Sequence, residues 1–167
     1  MGVTMRKEII LAAAAGLALG GAALHSRSSA AAPPTPLKIA FPEYEPQKVV
    51  YHITSGANWF GSEHRQRLNV LANHVRALPP NSSDIRVVLQ GSGLDLLVVA
   101  RKDTVLSARI DELKKAGVRF LVCVNTVTSR KIDVLRDLHG VIAGDFVKAG
   151  VAETANLQGR GFVYLKI

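Results

Sequence analysis

The chain contains one cysteine, Cys123, and that scarcity already limits its chemistry. There is no Cys-x-x-Cys pair, so disulfide exchange of the thioredoxin kind within one chain is excluded. The amino-terminal segment holds no cysteine either, which excludes lipoprotein attachment. Aromatic residues make up 5% of the chain and are not interleaved with lysine and arginine as RNA recognition requires. Nucleic acid is therefore not an expected partner. Histidines are few, and His64 and His74 stand ten apart on one predicted helix rather than at the four-residue spacing of a metal pair. No metal site is expected, and no motif calls for a resident cofactor. Ser55, Ser62 and Ser92 lack the surroundings of a nucleophile elbow, which argues against a serine hydrolase. His139 adjoins a glycine-containing turn and reads as solvated. No internal repeat is present.

What is there begins with an address. Arg6 and Lys7 precede an unbroken run from Ile9 to Leu24 made only of Ile, Leu, Ala and Gly. Polar residues 25–29 and the small residues Ala30, Ala31 and Ala32 follow. This is the three-part layout of a secretory signal peptide over residues 1–32. The apolar run of 16 residues falls short of the about 20 strongly apolar residues a spanning helix needs. The expectation is a cleaved signal, a periplasmic or otherwise exported protein, and no membrane span after cleavage. The alternative is a protein anchored by this segment uncleaved. Residues 33–47 carry five prolines and read as an extended leader. Without residues 1–32 the chain keeps 18 of its 21 basic and 12 of its 13 acidic residues, a net charge of +6. That surplus suits a soluble surface or an acidic partner.

From Lys48 the pattern is regular. Runs rich in apolar and β-branched residues at Val49–Ile53, Ile85–Leu89, Val118–Val124, Phe146–Lys148 and Phe162–Leu165 predict five strands. Between them, apolar residues spaced three and four apart predict helices. Leu68, Leu71, Val75 and Leu78 mark the first, with Ser62 as its N-cap and Pro79-Pro80 as its stop. Leu106, Ile110 and Leu113 mark the next, closed by Gly117. A stripe of Ile132, Leu135 and Leu138 predicts another, and the last runs from Gly150 through Val151, Ala155 and Leu157. Leu94–Ala100 fits either a helical turn or an extra strand, and Asn125–Ser129 reads as a turn. Alternation of strand and helix predicts an α/β fold over residues 48–167, with a doubly wound, mainly parallel five-stranded sheet.

In such sheets ligands bind outside the carboxyl ends of the strands. There the sequence offers His52 and Ser55 at the first strand, Gln90, Gly91, Ser92 and Gly93 at the second, and Cys123, Asn125 and Thr126 at the third. An unpaired cysteine in an exported protein is buried, paired between chains, or kept as a reactive thiol. As a small apolar side chain Cys123 belongs in the core. As a thiol at a strand end, with the next loop's amides beside it, it could be held as a thiolate. Gly91-Ser92-Gly93 reads as a tight turn whose amides could also hold an anion. His52, inside a strand, reads as a core histidine with its hydrogen bonds satisfied.

Several blocks resemble the DsrE/DsrF-like family: Lys48-Val49-Val50-Tyr51-His52, Leu71-Ala72-Asn73-His74 and Gly91-Ser92-Gly93-Leu94-Asp95-Leu96-Leu97. The likeness is closer in Gly117-Val118-Arg119-Phe120-Leu121-Val122-Cys123-Val124-Asn125-Thr126, Ala149-Gly150-Val151-Ala152-Glu153 and Gly161-Phe162-Val163-Tyr164. It spans residues 48–167. It implies a flavodoxin-like sandwich and a sulfur-relay or sulfur-binding carrier, rather than a multi-turnover enzyme. Cys123 would accept a persulfide sulfur. It also implies a homo-oligomer, with a partner protein's thiol or a small sulfur compound as its reaction partner. The alternative is a non-catalytic oligomeric interaction module, or one that binds a small anion, with Cys123 in the core.

Overall fold

The computed structural model describes residues 40–57 and 62–167. The expected signal peptide and the first part of the proline-rich leader lie outside the described residues. Within the leader, residues 40–46 are exposed and without regular structure. The chain is tied down at Gln47, whose N–H donates to Ser83 Oγ at 3.0 Å and whose Oε1 pairs with His74 Nε2 at 2.9 Å. His74 Nδ1 in turn faces the Tyr51 hydroxyl at 2.8 Å. Gln47, His74 and Tyr51 thus satisfy one another beneath the first helix.

The strands are β1 (Lys48–Ile53), β2 (Asp84–Leu89), β3 (Arg119–Cys123), β4 (Phe146–Val147) and β5 (Val163–Lys166). They form one sheet in the order β4-β3-β2-β1-β5, and every pairing is parallel. The helices are α1 (Ser62–Ala77), α2 (Asp95–Ala100), α3 (Thr104–Lys115), α4 (Val124–Ser129), α5 (Val134–Asp137) and α6 (Gly150–Gly159). This is the doubly wound parallel α/β fold that the alternation predicted, of the flavodoxin-like kind that the resemblance implied. Strand residues alternate between the two faces. Val49, Tyr51, Ile53, Val87, Leu89, Phe120 and Val122 turn to one side and pack under α1, α2 and α3. Val50, Val88 and Leu121 turn to the other, where Leu157 of α6 and Phe162 cover them. The first face carries the large core. Among the described residues, α6 and Phe162 supply the cover of the second.

Local signals explain most boundaries. Asp103 caps α3, accepting from the Val105 and Leu106 amides at 3.0 Å each. Gly117, at a φ of +91°, ends it, with Val118 N–H closing back on Leu113 O. Ser62 is the first described residue of α1. Of the two alternatives for Leu94–Ala100 the helical one holds: a 3-10 turn (Gly91–Leu94) runs directly into α2, burying Leu94, Leu96, Leu97 and Ala100. Three readings need correction. Asn125–Ser129 is helical, because β3 hands over to α4 without a loop. The Ile132, Leu135 and Leu138 stripe is not one helix face. Only Val134–Asp137 is helical, Leu138 is buried, and Leu135 is 86% exposed. A stripe of three leucine-type residues shows spacing, but the loop around it had no second side to bury. His139 is not solvated either: its Nε2 meets Asp111 Oδ1 at 2.9 Å, with the ring largely covered.

Gly93 positions everything that follows. A Cβ there would lie 2.0 Å from Ile53 O and 2.5 Å from its carbonyl carbon. Only glycine lets the turn after β2 press onto the end of β1. Gly93→Ala is expected to destabilise the fold by about 3 kcal/mol, read as a lowered urea midpoint with little change in slope.

Candidate functional site at the end of β3

The connections from β1 to β2, β2 to β3 and β3 to β4 step across the sheet in one direction, and their helices pack on the large core. The connection from β4 to β5 returns to the opposite edge, and its helix α6 packs on the other face. Between β3 and β4 the chain therefore leaves the sheet toward opposite sides. A crevice opens at such a switch point. Here it is a hollow of about 290 Å3 lined by Gln90, Cys123, Asn125, Thr126, Ser129, Ala149, Gly150 and Val151. A larger hollow of about 370 Å3 lies at the other end of the sheet, among Leu78, Pro79, Pro80, Ile85 and Val118. It offers no thiol, and its Ser83 hydroxyl oxygen accepts from Gln47 N–H, so the chemistry points to the smaller one.

Cys123 forms the floor of that hollow and is only 3% exposed. Gly150, the first residue of α6, donates its N–H to Cys123 Sγ at 3.3 Å. Burial pushes the thiol pKa up. The Thr126 hydroxyl and the backbone amides of Gly150, Thr126 and Asn125 pull it down, and the net result lies below the ordinary thiol value. Thr126 is held for this task, since its Oγ1 accepts from Gly91 N–H at 2.9 Å and its own proton is left to point elsewhere. Gly91 can present that N–H because its φ is +56°, a conformation other residues adopt poorly. The turn after β2 and the cysteine strand thus meet through one threonine.

The residues singled out in the sequence divide cleanly. Cys123, Asn125, Thr126 and Gln90 line the hollow, and Gly91 supports it from behind. Ser55 does not reach it. Its Oγ accepts from Arg67 Nη2 at 2.8 Å, and Arg67 also binds the Ser55 and Gly56 carbonyls. Ser92 is exposed outside the hollow, and Gly93 faces β1. His52 is 8% exposed and lies one strand behind Gln90. It is not the satisfied core histidine that the sequence suggested, because its Nε2 completes no hydrogen bond. Sequence reasoning passed over Gly150 as a sulfur ligand, although a glycine opening a helix after a short strand was a usable signal.

The fold is an all-parallel α/β sandwich whose single cysteine, Cys123, ends β3 at the switch point. The chain matches the DsrE/DsrF-like family over residues 48–167 and belongs to that family. Its fold is similar to that of a protein of unknown function from Methanobacterium thermoautotrophicum, with 30% identity, a TM-score of 0.59, and coverage of 72% of this chain and 99% of that one. No curated protein matches.

Thr126→Val removes the hydroxyl beside the sulfur and is expected to move the pH midpoint of Cys123 alkylation upward and to slow alkylation at neutral pH. Thr126→Ser keeps the hydroxyl and should stay near the native midpoint. Iodoacetamide kinetics followed by intact mass against pH would check both.

Proposed function

We propose that this protein is a sulfur carrier of the relay type that membership of the family suggests at a general level, with Cys123 as the sulfur acceptor. The observation that carries the reading is a cysteine lining an open hollow with the Gly150 N–H on its sulfur at 3.3 Å, where the Thr126 hydroxyl and nearby backbone amides favour the thiolate. A structural cysteine needs no such set of donors. The transfer balances without an oxidant or reductant. The Cys123 thiolate attacks the outer sulfur of a donor persulfide, the donor's S–S bond breaks, and the donor leaves as a thiolate. Cys123 then carries the persulfide, and an acceptor thiolate takes its outer sulfur by the same step in reverse. Asn125, Thr126 and Gly150 support the anion at each stage.

Intact mass after incubation with polysulfide tests this reading. The expected result is a gain of one or more sulfur atoms, removed by reductant and absent in Cys123→Ala. A thiol that stays unmodified, and that resists alkylation until the protein is unfolded, would sink it. The same measurement on protein recovered from an expressing bacterium reads whether residues 1–32 have been removed, which the export reading requires. Among the described residues no helix is long and apolar enough to cross a membrane.

One observation favours self-assembly as a second property. β5 is an edge strand with all four residues exposed, among them Val163 at 60%, Tyr164 at 37% and Leu165 at 39%. Isolated edges of this kind are usually blunted by charge or covered. Sedimentation should show an oligomer that Val163→Lys with Leu165→Lys dissociates. A native monomer at all concentrations would remove this part of the reading.

A further inference from the structure

Two buried polar atoms near the sulfur site have no completed hydrogen bond: His52 Nε2 and Gln90 Oε1. They lie on the α6 side of the sheet, on neighbouring strands, and they face each other closely enough for the Gln90 amide to favour the protonated ring. On its far side His52 meets the Tyr164 hydroxyl, with Nδ1 and the oxygen 3.4 Å apart and the rings edge to face at 6.0 Å. Lys166, paired with His52 in the β1–β5 register, is the charged group beside the ring. Burial and Lys166 both work against a charge on His52, and together they outweigh the effect of Gln90. The ring is therefore neutral at neutral pH. With Tyr164 donating to Nδ1, its one proton sits on Nε2 and faces Gln90 Oε1.

Gln90 itself is clamped between His52 and the opening residue of α6. A Cβ at Gly150 would lie 2.6 Å from Gln90 Oε1 and 3.2 Å from Gln90 Cβ. Gly150 is also the residue whose N–H reaches Cys123 Sγ. Gln90 lines the hollow above that sulfur. When Oε1 is turned to His52, the amide nitrogen and its two protons are the part left for the hollow.

We propose that Gln90 is the binding group for the outer, anionic sulfur of a persulfide on Cys123, and that His52, held by Tyr164, is a positioning residue that points the Gln90 amide at it. The ligand class is a perthiolate, and the inference rests on the carrier reading above. It separates two tasks at one site. Thr126 and the backbone amides serve the inner sulfur, which is present at all times. Gln90 serves the outer sulfur, which is present only in the loaded state.

The test uses the mature protein loaded with polysulfide and treated with iodoacetamide across a pH series. Intact mass scores alkylated thiol and alkylated persulfide separately in each sample. The variants are Gln90→Leu, His52→Leu and His52→Gln, the last of which returns an N–H donor near the place of Nε2. Expected is a rise in the pH midpoint of the persulfide alone in Gln90→Leu and His52→Leu. The persulfide midpoint of these two variants should rise by about one unit, the scale of one hydrogen bond to a charged group. His52→Gln should recover most of the native midpoint. Persulfide midpoints that stay native in both leucine variants would overturn the inference and leave the carrier reading standing. Equal shifts of thiol and persulfide would also overturn it, by showing a general disturbance of the site. A native protein that takes up no sulfur would overturn both readings.

Discussion

The chain leaves β3 toward one face of the sheet and β4 toward the other, and the site depends on that divergence. A parallel strand must return over a face of the sheet to begin the next one. When successive returns use the same face, the loops at the carboxyl edge crowd together. Where the direction reverses they part, and the backbone amides of both departing segments are left pointing into the gap. In this protein the gap has Cys123 at its base. Asn125 and Thr126 contribute amides from one wall and Gly150 contributes one from the other. The thiol is therefore buried and activated together, which a core position alone would not produce, since burial by itself raises a thiol's pKa.

The second constraint is the close approach of the turn after β2 to the end of β1. Gly93 permits the backbones to touch, Gly91 adopts the left-handed conformation that follows, and its N–H fixes Thr126. Rigid backbone thus orients a hydroxyl at a sulfur, with no long side chain needing to be ordered for the purpose. The hollow is small and open, lined by backbone and short side chains. Such a site suits a small ligand better than the grip of a large substrate.

The carboxyl edge also concentrates polar cost. Among the described residues, His52 Nε2 and Gln90 Oε1 are buried without a completed hydrogen bond, whereas the Tyr51–His74–Gln47 line is closed. The two arrangements sit on opposite faces of the same strand. One is finished and holds the leader to the sheet. The other stays incomplete and borders the sulfur.

Five strands, their parallel run and the boundaries at Pro79, Gly117 and Gly159 were legible in the sequence, because apolar periodicity and the backbone preferences of glycine and proline are local properties. The family was legible too, in the blocks around Cys123 and Gly150. Short segments were not. Segments of six or seven residues such as Leu94–Ala100 or Val124–Ser129 are too short to decide by spacing until the neighbouring layers settle which atoms are covered. The same holds for the site. Sequence alone determined that Cys123 ends a strand, that Gln90 to Gly93 end another, and that His52 points to one face of a third. Only the tertiary structure decided that Gln90 lines the hollow and Thr126 reaches the sulfur while Ser55 and Ser92 do not, and that the remote Gly150 donates to it. Those outcomes depend on strand order and on the side from which each return helix approaches, and both are set by the packing of the whole sheet.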